Sequence, residues 1–211
     1  MIDLLIVDDH MIIRRGLIQI LAGAARIGDI REAGDGPAAL RALRSRAPQV
    51  VVLDVALGDS DGLDVLKTLR SEFPQVGVVM LSVYPESQFA VRAIRGGAGA
   101  YLNKGCAPDE LLAAIHKVAD GGVYITPAIA ELLARSVREG EGKPPHELLS
   151  DREFQVLTLF AQGRSVSEIA QQLCLSGNTI STYRARIFDK LGVHSLAELL
   201  TYAARHDMLP K

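Results

Sequence analysis

Apolar residues follow two different rhythms along this chain, and the rhythm changes near residue 120. Before it, short apolar runs alternate with longer segments of helical period. The runs are Ile2–Val7, Asp29–Ala33, Val50–Leu53, Val76–Leu81 and Ala100–Leu102. Between them, Ile13, Leu17, Ile20 and Leu21 fall at i, i+4, i+7 and i+8, and Leu63, Leu66 and Leu69 step by threes. Leu111, Ile115 and Val118 form another such face. Strands alternating with helices predict an α/β fold, a doubly wound five-stranded parallel sheet. "VVVL" and "VGVVML" are apolar on both faces, as strands covered by helices on both sides must be.

Past residue 120 the alternation stops. "DGGVYITP" is a turn ending at Pro127, and Ala128 to Arg138 reads as one helix. "EGEGKPPH" (Glu139 to His146) has no apolar residue and reads as a linker and domain boundary. From Leu148 the pattern is purely helical, over roughly 151–162, 165–173, 176–191 and 195–206. The expected domains are therefore 1–119, a 120–147 connector with one helix, and a small all-α domain over 148–211.

Start signals sharpen the second part. Ser150-x-x-Glu153, Ser165-x-x-Glu168 and Ser195-x-x-Glu198 are capping boxes, each opening one predicted helix. Gly163 suits the left-handed stop between the first two. The third helix differs: its cap is Ser176, and Thr179 stands where the acid would be. An acid-free N-terminus leaves the positive end of the helix dipole open to an anion.

Composition adds exclusions. The chain has 211 residues, 48% apolar and 23% charged, with a net charge of −2. No run approaches the ~18–20 apolar residues of a membrane span, and no basic stretch precedes the first apolar run, so neither a membrane partner nor a secretory signal is expected. Cys106 and Cys174 lie far apart with no CxxC, as for ordinary thiols in a reducing cytoplasm.

Ligands of an open parallel sheet collect at the carboxyl ends of its strands. Here those ends carry Asp8 and Asp9, Asp54, Ser82 and Lys104. At an effective dielectric of ~20, two carboxylates within ~4 Å repel by about 4 kcal/mol. A divalent cation relieves this, and an all-oxygen set favours Mg²⁺ over zinc. Asp54 stands alone and is the natural nucleophile for phosphoryl transfer, with Lys104 and the metal meeting the phosphoryl charge.

On the stretches "IVDDH", "VVVLDVALGDSDG", "VVMLSVY" and "GAGAYLNKG", residues 1–119 resemble the CheY-like receiver domain of bacterial response regulators. The resemblance implies that Asp8, Asp9, Asp54 and the backbone carbonyl of Ala56 hold Mg²⁺. It implies that Asp54 accepts phosphate from a histidine kinase, that Ser82 and Lys104 grip the phosphoryl oxygens, and that Tyr101 turns inward to report it. Three positions depart from the family's usual pattern. Leu57-Gly58 replaces Met-Pro and predicts a less rigid loop, Val83 replaces an alanine and crowds the site, and Asn103 replaces a small or apolar residue. His10 reads as a surface histidine at a helix start.

Residues 148–211 resemble the LuxR-type helix-turn-helix domain found behind receivers in the NarL/FixJ family. The matching stretch is "LSDREFQVLTLFAQGRSVSEIAQQLCLSGNTISTYRARIFDKLGV". The helix from Ser176 is then the recognition helix, with Thr179, Ser181, Thr182, Tyr183, Arg184, Ala185, Arg186 and Lys190 as the DNA-facing set. Ser181, Thr182 and Ala185 fall at base-reading positions, while Arg186 and Lys190 are expected on phosphates. This domain carries seven Lys/Arg against six acids, a net of +1, so tight binding should need two copies. The resemblance implies a regulator rather than an enzyme, with a histidine kinase, double-stranded promoter DNA, RNA polymerase and a second copy as partners. An alternative is a phosphorylation-independent regulator whose receiver only dimerises. An aspartate-nucleophile phosphatase would want a second acid two residues after Asp8, where His10 stands.

Overall fold

The computed structural model describes residues 1–58, 60–138, 145–206 and 208. It packs as two units, Met1–Ala130 and Glu131–Lys211, and the division falls inside one helix.

The first unit is built on β1 (Ile2–Val7), β2 (Ile27–Ala33), β3 (Val50–Asp54), β6 (Gly77–Ser82) and β7 (Ala100–Asn103). These strands form one parallel sheet in the order β2-β1-β3-β6-β7, the doubly wound architecture expected. Two short pieces, β4 (Ala56–Leu57) and β5 (Ser60–Asp61), pair antiparallel just after β3. Crossovers are made by α1 (Met11–Leu21), α2 (Gly36–Ser45), α3 (Gly62–Glu72) and α4 (Glu86–Arg95), and α5 (Pro108–Ala119) follows the last strand.

Alternation decides which side chains meet which helices. Leu4, Ile6, Val50, Val52, Val79, Leu81, Ala100 and Leu102 form one core with Leu17 and Leu21 of α1 and with Leu111, Ala114, Ile115 and Val118 of α5. The intervening Leu5, Val51, Leu53, Val78, Met80 and Tyr101 are just as buried. With α2 against β1 and β2, and α4 against β7, the second face is covered too. Both faces being covered is why the strands read as unbroken apolar runs.

One glycine is required by this packing. A Cβ on Gly62 would lie 2.0 Å from the Asp54 carbonyl oxygen. Only a bare α-carbon lets α3 begin against the end of β3, and its N–H donates to the Val55 carbonyl at 2.9 Å.

The remaining elements are α6 (Pro127–Arg138), a 3₁₀ turn over Pro145–Leu148, α7 (Asp151–Ala161), α8 (Val166–Gln172), α9 (Gly177–Leu191) and α10 (Leu196–Arg205). Most of the expected linker, 139–144, lies outside the described residues. Its end does not read as linker: the His146 ring stands 2.9 Å from the Tyr202 hydroxyl, so Pro145 and His146 belong to the folded helical unit. Both capping boxes at Ser150/Glu153 and Ser165/Glu168 are complete. The third is half made: Ser195 accepts from the Glu198 N–H, but the Glu198 carboxylate takes the His194 N–H instead. At α9, Ser176 accepts from the Thr179 N–H at 3.1 Å, and the two hydroxyls stand 2.8 Å apart.

Candidate functional site

Strand register brings the acidic residues together. Val7 pairs with Leu53, so Asp8 and Asp54 leave neighbouring strands at the same level. Asp54 pairs with Leu81, which puts Ser82 one step beyond it, and Ser82 pairs with Asn103, which delivers Lys104. Lys104 Nζ lies 2.6 Å from Asp54 Oδ2 and 2.7 Å from Asp8 Oδ2, with side-chain exposures of 8%, 2% and 2%. Asp54 Oδ1 accepts the Ala56 N–H at 3.2 Å. Asp8 Oδ1 accepts the His10 N–H at 2.8 Å, and the His10 ring reaches Asp9 at 2.7 Å while staying 61% exposed.

One ammonium therefore serves two buried carboxylates, while Asp9 is met by the His10 ring. Burial pushes the Asp54 carboxyl up to about 6, with Lys104 opposing and the charge of Asp8 adding to the rise. Burial would lower the Lys104 ammonium, but Asp54 and Asp8 outweigh it and hold it above its ordinary value. The two partners shift the same way because Asp54 loses more to burial than one cation returns, while Lys104 draws on two anions. Ionising Asp54 thus costs folding free energy, on the order of 3 kcal/mol, absent below pH ~4 and complete above the folded pKa.

The donor set fits a hard divalent cation. Asp8, Asp9, His10 and Asp54 each offer a ligand atom within 4.8 Å of the others. Asp8 Oδ2 is buried and accepts no aligned hydrogen bond, and its ion-pair partner Lys104 is shared with Asp54. Three carboxylates suit Mg²⁺, and His10 sits beside them at the solvent edge.

Sequence reasoning missed Arg14. Its Nη1 donates to the Asp8 carbonyl at 2.5 Å, and its Nε donates to Glu32 at 2.9 Å. Arg14 is thus a positioning residue that ties α1 and β2 to the peptide carrying the acid pair. The available signal was an arginine one turn after His10, opposite a glutamate near the end of the neighbouring strand.

The three departures have local explanations. Asn103 Oδ1 accepts the Gly105 N–H at 2.8 Å, an Asx turn that shapes the segment presenting Lys104. Val83 points its side chain outward, 57% exposed. Leu57 is buried, and Gly58 takes φ +54 with a would-be Cβ 3.3 Å from Asp9 Oδ2, so a side chain there would be strained and would press on the acid pair. Tyr101 is fully buried and donates to the Tyr84 carbonyl at 3.0 Å, and burial pushes its phenol up. Ser82, also buried, accepts the Tyr84 N–H at 3.0 Å.

In the second unit, α9 buries Ile180, Ile187 and Leu191 as its periodicity requires. Thr182, Ala185 and Arg186 are exposed, and Thr179, Ser181, Tyr183 and Arg184 are half-buried. The Thr182 hydroxyl donates back to the Asn178 carbonyl at 3.0 Å, which leaves its oxygen as acceptor and its methyl for apolar contact. Lys190 is paired within the domain: Nζ lies 2.6 Å from Glu153, whose side chain is 4% exposed. Burial pushes the Glu153 carboxyl up, but Lys190 and the Ser150 cap outweigh it and hold it below the usual range.

Two families match this chain. "Response regulator receiver domain" matches residues 4–116, and "Bacterial regulatory proteins, luxR family" matches 147–203. The response regulator UvrY of Escherichia coli is 36% identical over 99% of this chain and 96% of its own length. The transcriptional regulatory protein UhpA of the same species is 40% identical over 94% and 96%. The chain is a two-component response regulator of the NarL/FixJ family. Among solved structures, RcsB of Salmonella enterica serovar Typhimurium, bound to promoter DNA with the phosphomimetic BeF₃⁻, has a TM-score of 0.64. It is 26% identical, covering 97% of this chain and 98% of that one. Among the described residues no helix is long and apolar enough to cross a membrane.

The site electrostatics of this response regulator are measurable. Without Mg²⁺, carbon-detected NMR should show the Asp54 carboxyl titrating near 6, well above its ordinary value. Lys104→Ala should move it further up, because the ammonium is what holds it down, and Mg²⁺ should move it down in both proteins. A midpoint near 4 in the metal-free wild type would contradict the burial and charge balance described.

Proposed function

We propose that this response regulator is phosphorylated on Asp54 by a histidine kinase, forms a dimer and binds promoter DNA to control transcription in the cytoplasm. The observation that carries this reading is Asp54 itself: buried, ionisable and within 2.6 Å of Lys104, with Asp8 sharing the same ammonium. In the transfer, an Asp54 carboxylate oxygen attacks phosphorus as the P–N bond of the phosphohistidine breaks, and the bonding pair leaves with the imidazole. Lys104 turns from the carboxylates to the incoming phosphoryl oxygens, and the Ser82 hydroxyl donates to another. Asp8, Asp9, Asp54 and the Ala56 carbonyl would hold Mg²⁺, which when bound offsets the charge of both carboxylates and phosphoryl group. His10, at the position where a phosphatase on a related sheet needs an acid, speaks against hydrolysis of a separate substrate.

Residues 1–119 act as the receiver, 120–147 as connector, of which Pro145 and His146 already pack with the helical unit, and 148–211 as the DNA-binding domain, with RNA polymerase as the downstream partner. Matches to 4–116 and 147–203 support that division. A second reading, a receiver that only dimerises, would leave the assembled acids and Lys104 without a task.

Within α9, Ser181, Thr182 and Ala185 read bases through hydroxyl contacts and thymine methyl groups, with Thr179, Tyr183 and Arg184 flanking them. Arg186 is an exposed cation available for phosphate. Lys190 serves differently, as a clamp from the recognition helix to Glu153 at the start of α7.

Incubation of the full chain with acetyl phosphate and Mg²⁺ should add one phosphoryl group by intact mass, and Asp54→Asn or excess chelator should abolish it. Uptake that persists in Asp54→Asn would overturn the assignment. On DNA the residues should separate by how they fail. Thr182→Ala should lose about 1–3 kcal/mol on a selected site and little on random duplex. Arg186→Ala should weaken both and lower the salt slope by about 1. Lys190→Ala should leave the slope unchanged and cost about 1 kcal/mol of domain stability, a half-exposed ion pair being worth little more. A slope reduced by Lys190→Ala as much as by Arg186→Ala would return that lysine to the phosphates.

A further inference from the structure

The first turn of α7 grips α9 from two sides. Arg152 and Glu153 are consecutive and both buried, and a helix sets consecutive side chains about 100° apart. Arg152 Nη1 donates to Gln155 Oε1 at 2.6 Å, and its Nη2 donates to the Leu173 carbonyl at 3.1 Å. Leu173 caps the C-terminus of α8, and its carbonyl belongs to the peptide that leads into Cys174. Cys174 takes φ +52, a left-handed conformation that L side chains rarely adopt. Arg152 thus gives a partner to a helix-end carbonyl and fixes the peptide on which the turn into α9 pivots. In the last turn of α9, Lys190 Nζ lies 2.6 Å from Glu153 Oε2. That same oxygen accepts the Ser150 N–H at 2.8 Å, and Ser150 Oγ accepts the Glu153 N–H at 3.3 Å, so the cap of α7 fixes the acid that takes Lys190. Between these holds, α9 turns Ile180, Ile187 and Leu191 inward. Apolar burial is not directional, whereas the two polar holds are.

We propose that Arg152 and Glu153 are positioning residues for base reading: they set the tilt of α9, and with it the discrimination between DNA sequences, without touching DNA. The inference deepens the reading of α9 as the recognition helix and rests on it. α9 has 15 residues and is about 22 Å long, so a tilt of about 5° moves one end by about 2 Å. Hydrogen bonds to base edges lose most of their strength over about 1 Å, and apolar contact with a thymine methyl group is as short-ranged. Attraction to phosphates falls off over a Debye length of about 8–10 Å, so it hardly registers such a tilt. Base reading by Ser181, Thr182 and Ala185 therefore depends on the two holds, while the pull of Arg186 on phosphate does not. Loss of either hold costs discrimination before it costs affinity for random DNA.

Binding of the full chain, treated with acetyl phosphate and Mg²⁺, to a selected site and to random duplex over a range of salt tests this. Arg152→Lys keeps the charge but loses the planar fork that spans Gln155 and the Leu173 carbonyl. It should lose about tenfold on the selected site and less than about twofold on random duplex, with the salt slope unchanged. Lys190→Ala should lose discrimination in the same direction, by about threefold or more, and Lys190→Arg, which keeps the pair to Glu153, should hold the wild-type ratio. Added to Thr182→Ala, Arg152→Lys should cost less than about a further twofold, because both losses pass through one set of base contacts. A variant that is only less well folded loses selected and random DNA in equal proportion. That outcome in Arg152→Lys and Lys190→Ala would overturn the proposal, as would losses that multiply in full in the double variant. Should Arg152→Lys fail to fold, Lys190→Ala and Lys190→Arg decide by the same ratio. Undiminished binding of Thr182→Ala to the selected site would overturn instead the reading of α9 beneath it.

Discussion

Two buried carboxylates sharing one buried ammonium is the arrangement on which the rest of this molecule turns. Asp8, Asp54 and Lys104 sit where three strands end, with side chains almost wholly withdrawn from water. Such a group persists only if its surroundings hold it rigidly, because each unpaired charge in that position costs several kcal/mol. The sheet supplies the rigidity: β1, β3 and β6 are buried along nearly their whole length, and their register fixes which residues emerge together. Arg14 and the bare α-carbon of Gly62 finish the work, the first by gripping the Asp8 carbonyl and the second by letting α3 start against Asp54.

The charge imbalance also explains how the site can be responsive. Lys104 is held between two anions, so on the proposed phosphorylation of Asp54 the phosphoryl group competes for a cation already in place. Ser82 and Tyr101 share Tyr84 as a hydrogen-bond partner, so whatever moves one affects the segment leading into α4. The second unit shows a parallel economy of charge. With a net of +1 over 148–211 and Lys190 paired to Glu153, few cations on α9 remain for phosphate. On the function proposed above, affinity for DNA then depends on bringing two such helices together.

Much of this was legible in the sequence because it rests on periodicity and strand ends. The alternation of apolar runs and helical faces located the five strands of the parallel sheet to within two residues, though not the short β4–β5 pair, and the acid pair after Val7 declared the edge. Ser-x-x-Glu spacing located three helix starts, although Glu198 satisfies His194 instead of its own cap. What escaped were relations set by tertiary contact. Arg14 to the Asp8 carbonyl and Lys190 to Glu153 join residues whose separation in sequence follows no local rule. Asn103, unexplained as a departure from the family pattern, became intelligible once its side chain was seen bonded to the Gly105 N–H.

On the reading proposed above, the acid cluster holds one divalent cation through members that act together. Calorimetric titration of Mg²⁺ into the full chain addresses it without any phosphodonor or DNA. One Mg²⁺ per chain should bind to the wild type, Asp8→Asn and Asp9→Asn should each weaken binding by about tenfold or more, and Lys104→Ala should retain it. Undiminished binding in Asp8→Asn and Asp9→Asn would contradict the account.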